Sequence, residues 1–255
     1  VATTNRPRRR ALAAALLACC GIAQAALPGS LHLEDLTWPE LRDRVAAGTT
    51  IALVPIGGTE QNGPHLALGK HNLRVRVLAE RIARELGNAV VAPVLAYVPE
   101  GSITPPTEHM RWPGTISVPV TAFEATLEAT AKSLQRAGLA HVFLLGDHGG
   151  YRASLERVAA RAPRVHALPE YYRAARIGEH AGRDDTALTL AIDASLVRID
   201  IARGRAPDTR GDGAVGDPRS ADAQQGKVIA DRVVAESVAA IRRATAHKFG
   251  RQSRP

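Results

Sequence analysis

Apolar residues fall into two patterns along this chain. Unbroken runs occur at 51–56 (IALVPI) and 141–146 (HVFLLG). Weaker ones lie at 88–98 (NAVVAPVLAYV), interrupted at Pro93, and at 164–172 (RVHALPEYY). Elsewhere apolar residues recur every three or four positions, through 37–48, 72–87, 121–139, 151–162, 184–197 and 220–246. The runs predict strands and the periodic stretches predict helices. Thr37 is placed to cap the first helix, with Pro39 in its first turn and Gly48 at its end, and Gly87 ends the second. Strands that are apolar throughout are buried on both faces. Their alternation with helices predicts an α/β fold, a three-layer αβα sandwich around a mostly parallel sheet. Neither a repeat nor a low-complexity linker divides residues 31–247.

In such sheets ligands bind beyond the carboxyl ends of the strands. The stretch that follows the first run, GGTEQNGPHLALGKHN (57–72), places Glu60, Asn62, His65 and His71 within twelve positions. The second run leads into Asp147, His148, Gly149 and Gly150. Both stretches leave the sheet at the same edge, so they are expected to converge although nearly ninety residues separate them. The two glycines allow close backbone approach, and the N–H groups of the following helix suit a substrate carboxylate or an oxyanion. Asp147 is placed to orient an imidazole.

VPIGGTEQNGPHLALGKHN (54–72) resembles the creatininase (creatinine amidohydrolase) family motif Gly-Ser-x-Glu-Gln-His-Gly-Pro-His-Leu-Pro-Leu followed by Asp. In the same order, MRWPGTISV (110–118), LLGDHGGY (144–151), EHAGRDDTAL (179–188) and GAVGDPRSADAQQG (213–226) resemble further family segments. The resemblance implies a three-layer amidohydrolase with a dinuclear metal centre, commonly hexameric. Glu60 and His148 match ligand positions. Asn62 stands at a ligand His, His71 at the bridging Asp, and Gly150 at a ligand Glu for which Asp185 is the nearest replacement.

These departures shape the expected chemistry. A neutral imidazole has one lone pair, so His71 does not replace a bridging carboxylate. Glu60, His71 and His148 form the donor set of a mononuclear catalytic site, with Asp185 as a further ligand. The expected cofactor is one divalent ion, Zn²⁺ or else Mn²⁺, with a second only if Asp147 or Asp185 bridges. Glu179 and His180 resemble a family pair linked to proton transfer and are the candidate catalytic residues. Asn62, His65, Gly149, Gly150 and Arg183 are candidates for substrate contact. The expected reaction is hydrolysis of a non-peptide C–N bond in a cyclic or linear amide by a metal-activated water. The alternative is a catalytically silent periplasmic protein that binds a metal or small molecule on the same scaffold.

The start of the chain changes the picture of charge and compartment. A basic segment (NRPRRR), an apolar one (ALAAALLACCGI) and AQA before Ala26 predict a cleaved signal peptide over 1–25, hence a periplasmic or secreted protein. Arg8 and Arg9 hint at twin-arginine export, and lipidation of Cys19 is the minority alternative. Cleavage removes both cysteines and leaves 29 basic against 25 acidic residues, where the full chain carries a formal +8. Three of those basic residues, Lys248, Arg251 and Arg254, lie in the tail (248–255). The remaining domain (26–247) is near neutral, so no nucleic-acid partner is expected. No other segment is long and apolar enough to span a membrane. The expected partners are a small-molecule amide substrate and, from the resemblance, further copies of the chain.

Overall fold

The computed structural model describes residues 29–206 and 211–246. The expected signal peptide, Cys19 and the basic tail lie outside the described residues. Four parallel strands, β1 (Ile51–Ile56), β2 (Ala89–Val91), β3 (His141–Gly146) and β4 (Val165–Ala167), pair in the order β2-β1-β3-β4. Among the described residues eight α-helices surround them: α1 (Trp38–Ala46), α2 (Lys70–Leu86), α3 (Val120–Arg136), α4 (Arg152–Arg161), α5 (Pro169–Ala175), α6 (Arg183–Ile192), α7 (Ile199–Gly204) and α8 (Ala223–Ala246).

Strand residues alternate between two cores, which explains why the strands read as continuous apolar runs. Ile51, Leu53, Phe143 and Leu145 pack with α2, α5 and α8 on one face, whereas Ala52, Val54, Val142 and Leu144 pack with α3 and α4 on the other. The three-layer expectation therefore holds. The helix signals read from the sequence act as expected: Thr37 and Glu40 form a capping box at α1, and Gly87 (φ 78°) ends α2 in the left-handed region. None of the described helices is long and apolar enough to cross a membrane.

Two segments differ from the pattern reading. The stretch 164–172 is a strand only as far as Ala167, because Pro169 then starts α5, where a missing N–H costs nothing. Between 92 and 119 the chain forms only bridges, Ile56 with Leu95 and Val98 with Ser117, and one 3₁₀ turn at Glu108–Arg111. Its prolines at 93, 99, 105, 106, 113 and 119 withhold the N–H groups that a strand ladder needs.

Helices α6 and α8 cross in close contact at Gly226, where a Cβ would lie 1.8 Å from the Ala187 carbonyl oxygen and 2.8 Å from the Ala191 Cβ. Gly226→Ala is therefore expected to destabilise the protein by about 2 kcal/mol, overpacking outweighing the gain of about 1 kcal/mol in helix propensity. Urea unfolding checks this, and an unchanged midpoint would refute it.

A candidate metal centre at the carboxyl edge of the sheet

The chain passes from β1 out to β2 and returns on the other side of β1 as β3. This reversal makes the gap between β1 and β3 a topological switch point, where open α/β sheets bind ligands. The paired residues Ile56 and Gly146 end the two strands side by side. The stretches beginning at Gly57 and Asp147 thus emerge as neighbours. Tyr151 ties them together: its hydroxyl donates to the carbonyl pair of Ile56 and Gly57 (2.8 and 2.7 Å) and accepts from the His148 N–H (3.1 Å). Gly57 leaves room for α2, since a Cβ there would lie 2.2 Å from Asn72 Oδ1. The irregular segment joins from a third side. Ser117 Oγ accepts from Glu100 N–H, while Thr115 Oγ1 donates to the His109 carbonyl and accepts from Gln61 N–H.

Glu60, Glu100, His109 and His148 meet there, with one ligand atom from each lying within 4.8 Å of the others. Glu60 Oε2 is 3.3 Å from Nε2 of His109 and 3.3 Å from Nε2 of His148, and Glu100 Oε2 is 3.7 Å from His148 Nδ1. Glu60 Oε2 and both Glu100 oxygens are buried, with no hydrogen bond from the described residues. Burial first, and then the facing Glu60 carboxylate, push the Glu100 carboxyl up to about 9. Burial pushes His148 down to about 4 against the pull of Glu60, which keeps the imidazole neutral at pH 7. Buried oxygens without donors are costly unless a cation joins them. Two carboxyl groups and two imidazoles fit Zn²⁺ or Mn²⁺. The residues therefore suit the ion that the sequence led us to expect.

A charged scaffold lies behind this group. Glu60 Oε1 accepts from His71 Nε2 (2.8 Å), and His71 Nδ1 faces Asp147 Oδ2 (2.6 Å). Asp147 also accepts from Arg74 Nε (2.9 Å) and from the Tyr171 hydroxyl (2.8 Å). Arg74 continues to Asp185, which also pairs with Lys70 and accepts the Ala181 N–H (2.9 Å). Burial opposes the charge on Glu60, Asp147 and Asp185. The cationic and hydrogen-bonding partners outweigh it and hold all three carboxyls below their usual range. Lys70, His71 and Arg74 stand against these three acids.

This scaffold accounts for several residues singled out from the sequence. Glu60 and His148 lie in the ligand group. His71 is placed behind it, with both ring nitrogens facing carboxylates, so it orients Glu60. Asp185 is engaged by Lys70 and Arg74 and lies outside the group. The amide of Asn62 donates to the Glu60 and Ala67 carbonyls (2.9 and 3.1 Å), closing the loop, and His65 bonds Thr186 Oγ1 (3.0 Å). Neither is among the residues lining the two cavities described below. Arg183 is exposed and holds Gln225. His180, which burial pushes to about 4, meets the Gln61 carbonyl through Nε2 (3.0 Å), with Nδ1 3.7 Å from Glu60 Oε1. Glu179 is exposed beside it.

Glu100 and His109 were not singled out from the sequence. Their signal was faint: chelating side chains in a proline-rich stretch, His109 immediately before MRWPGT. Two cavities flank the ligand group. One, of about 170 Å³, includes Lys70, Gly149, Tyr172, Glu179 and His180 in its wall. The other, of about 580 Å³, includes Pro99, Val118, Val120 and Gly150.

Comparison with known proteins agrees with the motif resemblance. The profile of the family described as Creatininase (creatinine amidohydrolase) matches residues 34–241. The chain is 29% identical to creatinine amidohydrolase of Pseudomonas putida over 119 residues, 47% of this chain and 45% of that protein. It is 34% identical to the mycofactocin precursor peptide peptidase of Mycolicibacterium smegmatis over 114 residues, 43% of this chain and 44% of that one. The chain thus spans under half the length of these two relatives. A solved structure named as the manganese form of creatininase superposes with a TM-score of 0.66 at 24% identity, covering 84% of this chain and 98% of that one. At that identity the likeness establishes the fold.

Proposed function

Because the chain belongs to the creatininase family, we propose that it is a metal-dependent hydrolase acting on the non-peptide C–N bond of an amide. Glu60, Glu100, His109 and His148 would hold one Zn²⁺ or Mn²⁺. The observation that carries this reading is the set of buried carboxylate oxygens without donors, facing two imidazoles. When bound, such an ion supplies electrophilic activation of a carbonyl and acidifies water. One ion per chain is favoured, since His71 and Asp185 are each engaged by protein partners.

The chain's own residues supply the rest. His71, held by Asp147, fixes the orientation of Glu60. His180 is neutral at pH 7 and shares the smaller cavity with the imidazoles of the ligand group, so it can accept a proton and return it to a leaving nitrogen. Glu179, exposed at the same cavity, exchanges that proton with solvent. We place the protein outside the cytoplasm on the strength of residues 1–25, and an N-terminus at Ala26 on the exported protein would test that placement.

Elemental analysis of protein purified without chelators tests the central reading. Close to one zinc or manganese per chain, lost in Glu60→Gln, is expected. No bound metal after incubation with either ion would sink the proposal.

A further inference from the structure

The ligand group borders two unlike spaces, since His109 and His148 line both cavities. The smaller is walled by charges already paired with one another, Lys70 and Arg74 with Asp147 and Asp185, together with Tyr172 and His180. A cavity of roughly 150 Å³ accepts a molecule the size of benzene, so the 170 Å³ chamber has room for about six heavy atoms, against a wall that joins charged groups to carbon from Ile177 and Tyr172. The larger space is a groove, lined with carbon by Pro99, Val118, Pro119 and Val120. Bare backbone at Gly101 and Gly150 opens it further, and a Cβ on Gly150 would lie 2.9 Å from the His148 ring. Val120, the first residue of α3, is 44% exposed and offers its methyl groups to whatever occupies the groove.

We propose, building on the hydrolase reading, that the substrates are N-acyl conjugates of a small polar amine, with the acyl chain in the groove and the amine in the chamber. The chamber holds His180 and Glu179, side chains placed to hydrogen-bond a leaving nitrogen. Beyond the shared imidazoles and Glu100, the groove adds only Glu108 as a titratable group. In the reaction, water's oxygen bonds to the acyl carbon and the C–N bond breaks. The nitrogen leaves with a proton from that water carried by His180, so the products are a carboxylic acid and a free amine. Glycine-sized and ethanolamine-sized amines fit the chamber, and acyl chains of several methylenes fit the groove.

The test uses zinc-loaded protein and N-acylglycinamides whose acyl groups grow from two carbons to eight. Burying a methylene favours binding about fourfold, and an open groove recovers part of that. We expect kcat/KM to rise about two- to fourfold per methylene, mainly through KM. Val120→Asp, at an exposed first turn that tolerates an acid, should flatten this slope. N-alkylacetamides, which extend the amine instead, should gain nothing. Calorimetric binding of alkanehydroxamates from two to eight carbons gives a readout independent of turnover and should follow the same chain-length trend. A flat acyl series with measurable hydrolysis would overturn this assignment and leave the hydrolase reading standing. A steep N-alkylacetamide series would overturn the orientation. Hydroxamates that tighten with length while no amide is cleaved would support the groove as an alkyl site and overturn the hydrolase reading beneath the assignment.

Discussion

Glu100→Gln is expected to weaken zinc or manganese binding by about 100-fold or more while leaving the metal-free protein more stable at pH 8. The two effects share a cause. Loss of an outer-shell partner alone costs a metal site about 10–100-fold in affinity, and Glu100 is placed as a ligand. Without the ion, the same carboxyl is buried beside Glu60 with no donor, and its folded pKa stands near 9 against an ordinary 4.5. Between those values the folded chain keeps a proton that the unfolded chain has released. Stability of the metal-free protein therefore falls as pH rises through that window. Glutamine removes the titration, and its amide N–H can donate to Glu60 Oε2. Thermal unfolding in chelator should show the variant melting higher than wild type at pH 8, with the gap closing towards pH 4.5. Competition with a chromogenic chelator measures the affinity. Equal metal affinity in the two proteins would remove Glu100 from the site.

Arg74→Met should cost about 3–5 kcal/mol of stability, the range for orphaning one member of a buried ion pair. Arg74 is 1% exposed and contacts both Asp147 and Asp185. Asp185 retains Lys70, but Asp147 is left with His71 and the Tyr171 hydroxyl. At about 2–4 °C per kcal/mol, the melting temperature should drop by roughly 6–20 °C. Arg74→Met/Asp147→Asn should recover part of the loss, because the amide carries no charge to orphan. A single variant that loses less than about 1 kcal/mol would mean that the scaffold does not depend on this guanidinium.

The two predictions fall on residues that differ in how well the sequence announced them. Arg74 lies on a helix whose periodicity is plain, yet its basic side chain at a core position reads as surface until the acids of Asp147 and Asp185 are seen around it. Glu100 lies where no periodicity exists at all. Prolines remove the ladder between 92 and 119, so that segment is shaped by bridges to Ile56 and between Val98 and Ser117, contacts that leave no local pattern.

What the sequence determined by itself was the order of strands and helices, the three layers, the edge of the sheet that carries the chemistry, and Glu60 and His148 upon it. The elements, layers and sheet edge rest on local regularities: the spacing of apolar residues, the caps, and two glycine-rich exits from buried strands; the choice of Glu60 and His148 rests on the motif resemblance. Tertiary structure alone decided the partners. It set His71 between Glu60 and Asp147 rather than in the ligand group, joined Asp185 to Lys70 and Arg74, and brought Glu100 and His109 in from the irregular segment. A side chain's chemistry follows from the charges and donors within a few ångströms of it, and in this site those neighbours come from stretches as far as 121 residues apart.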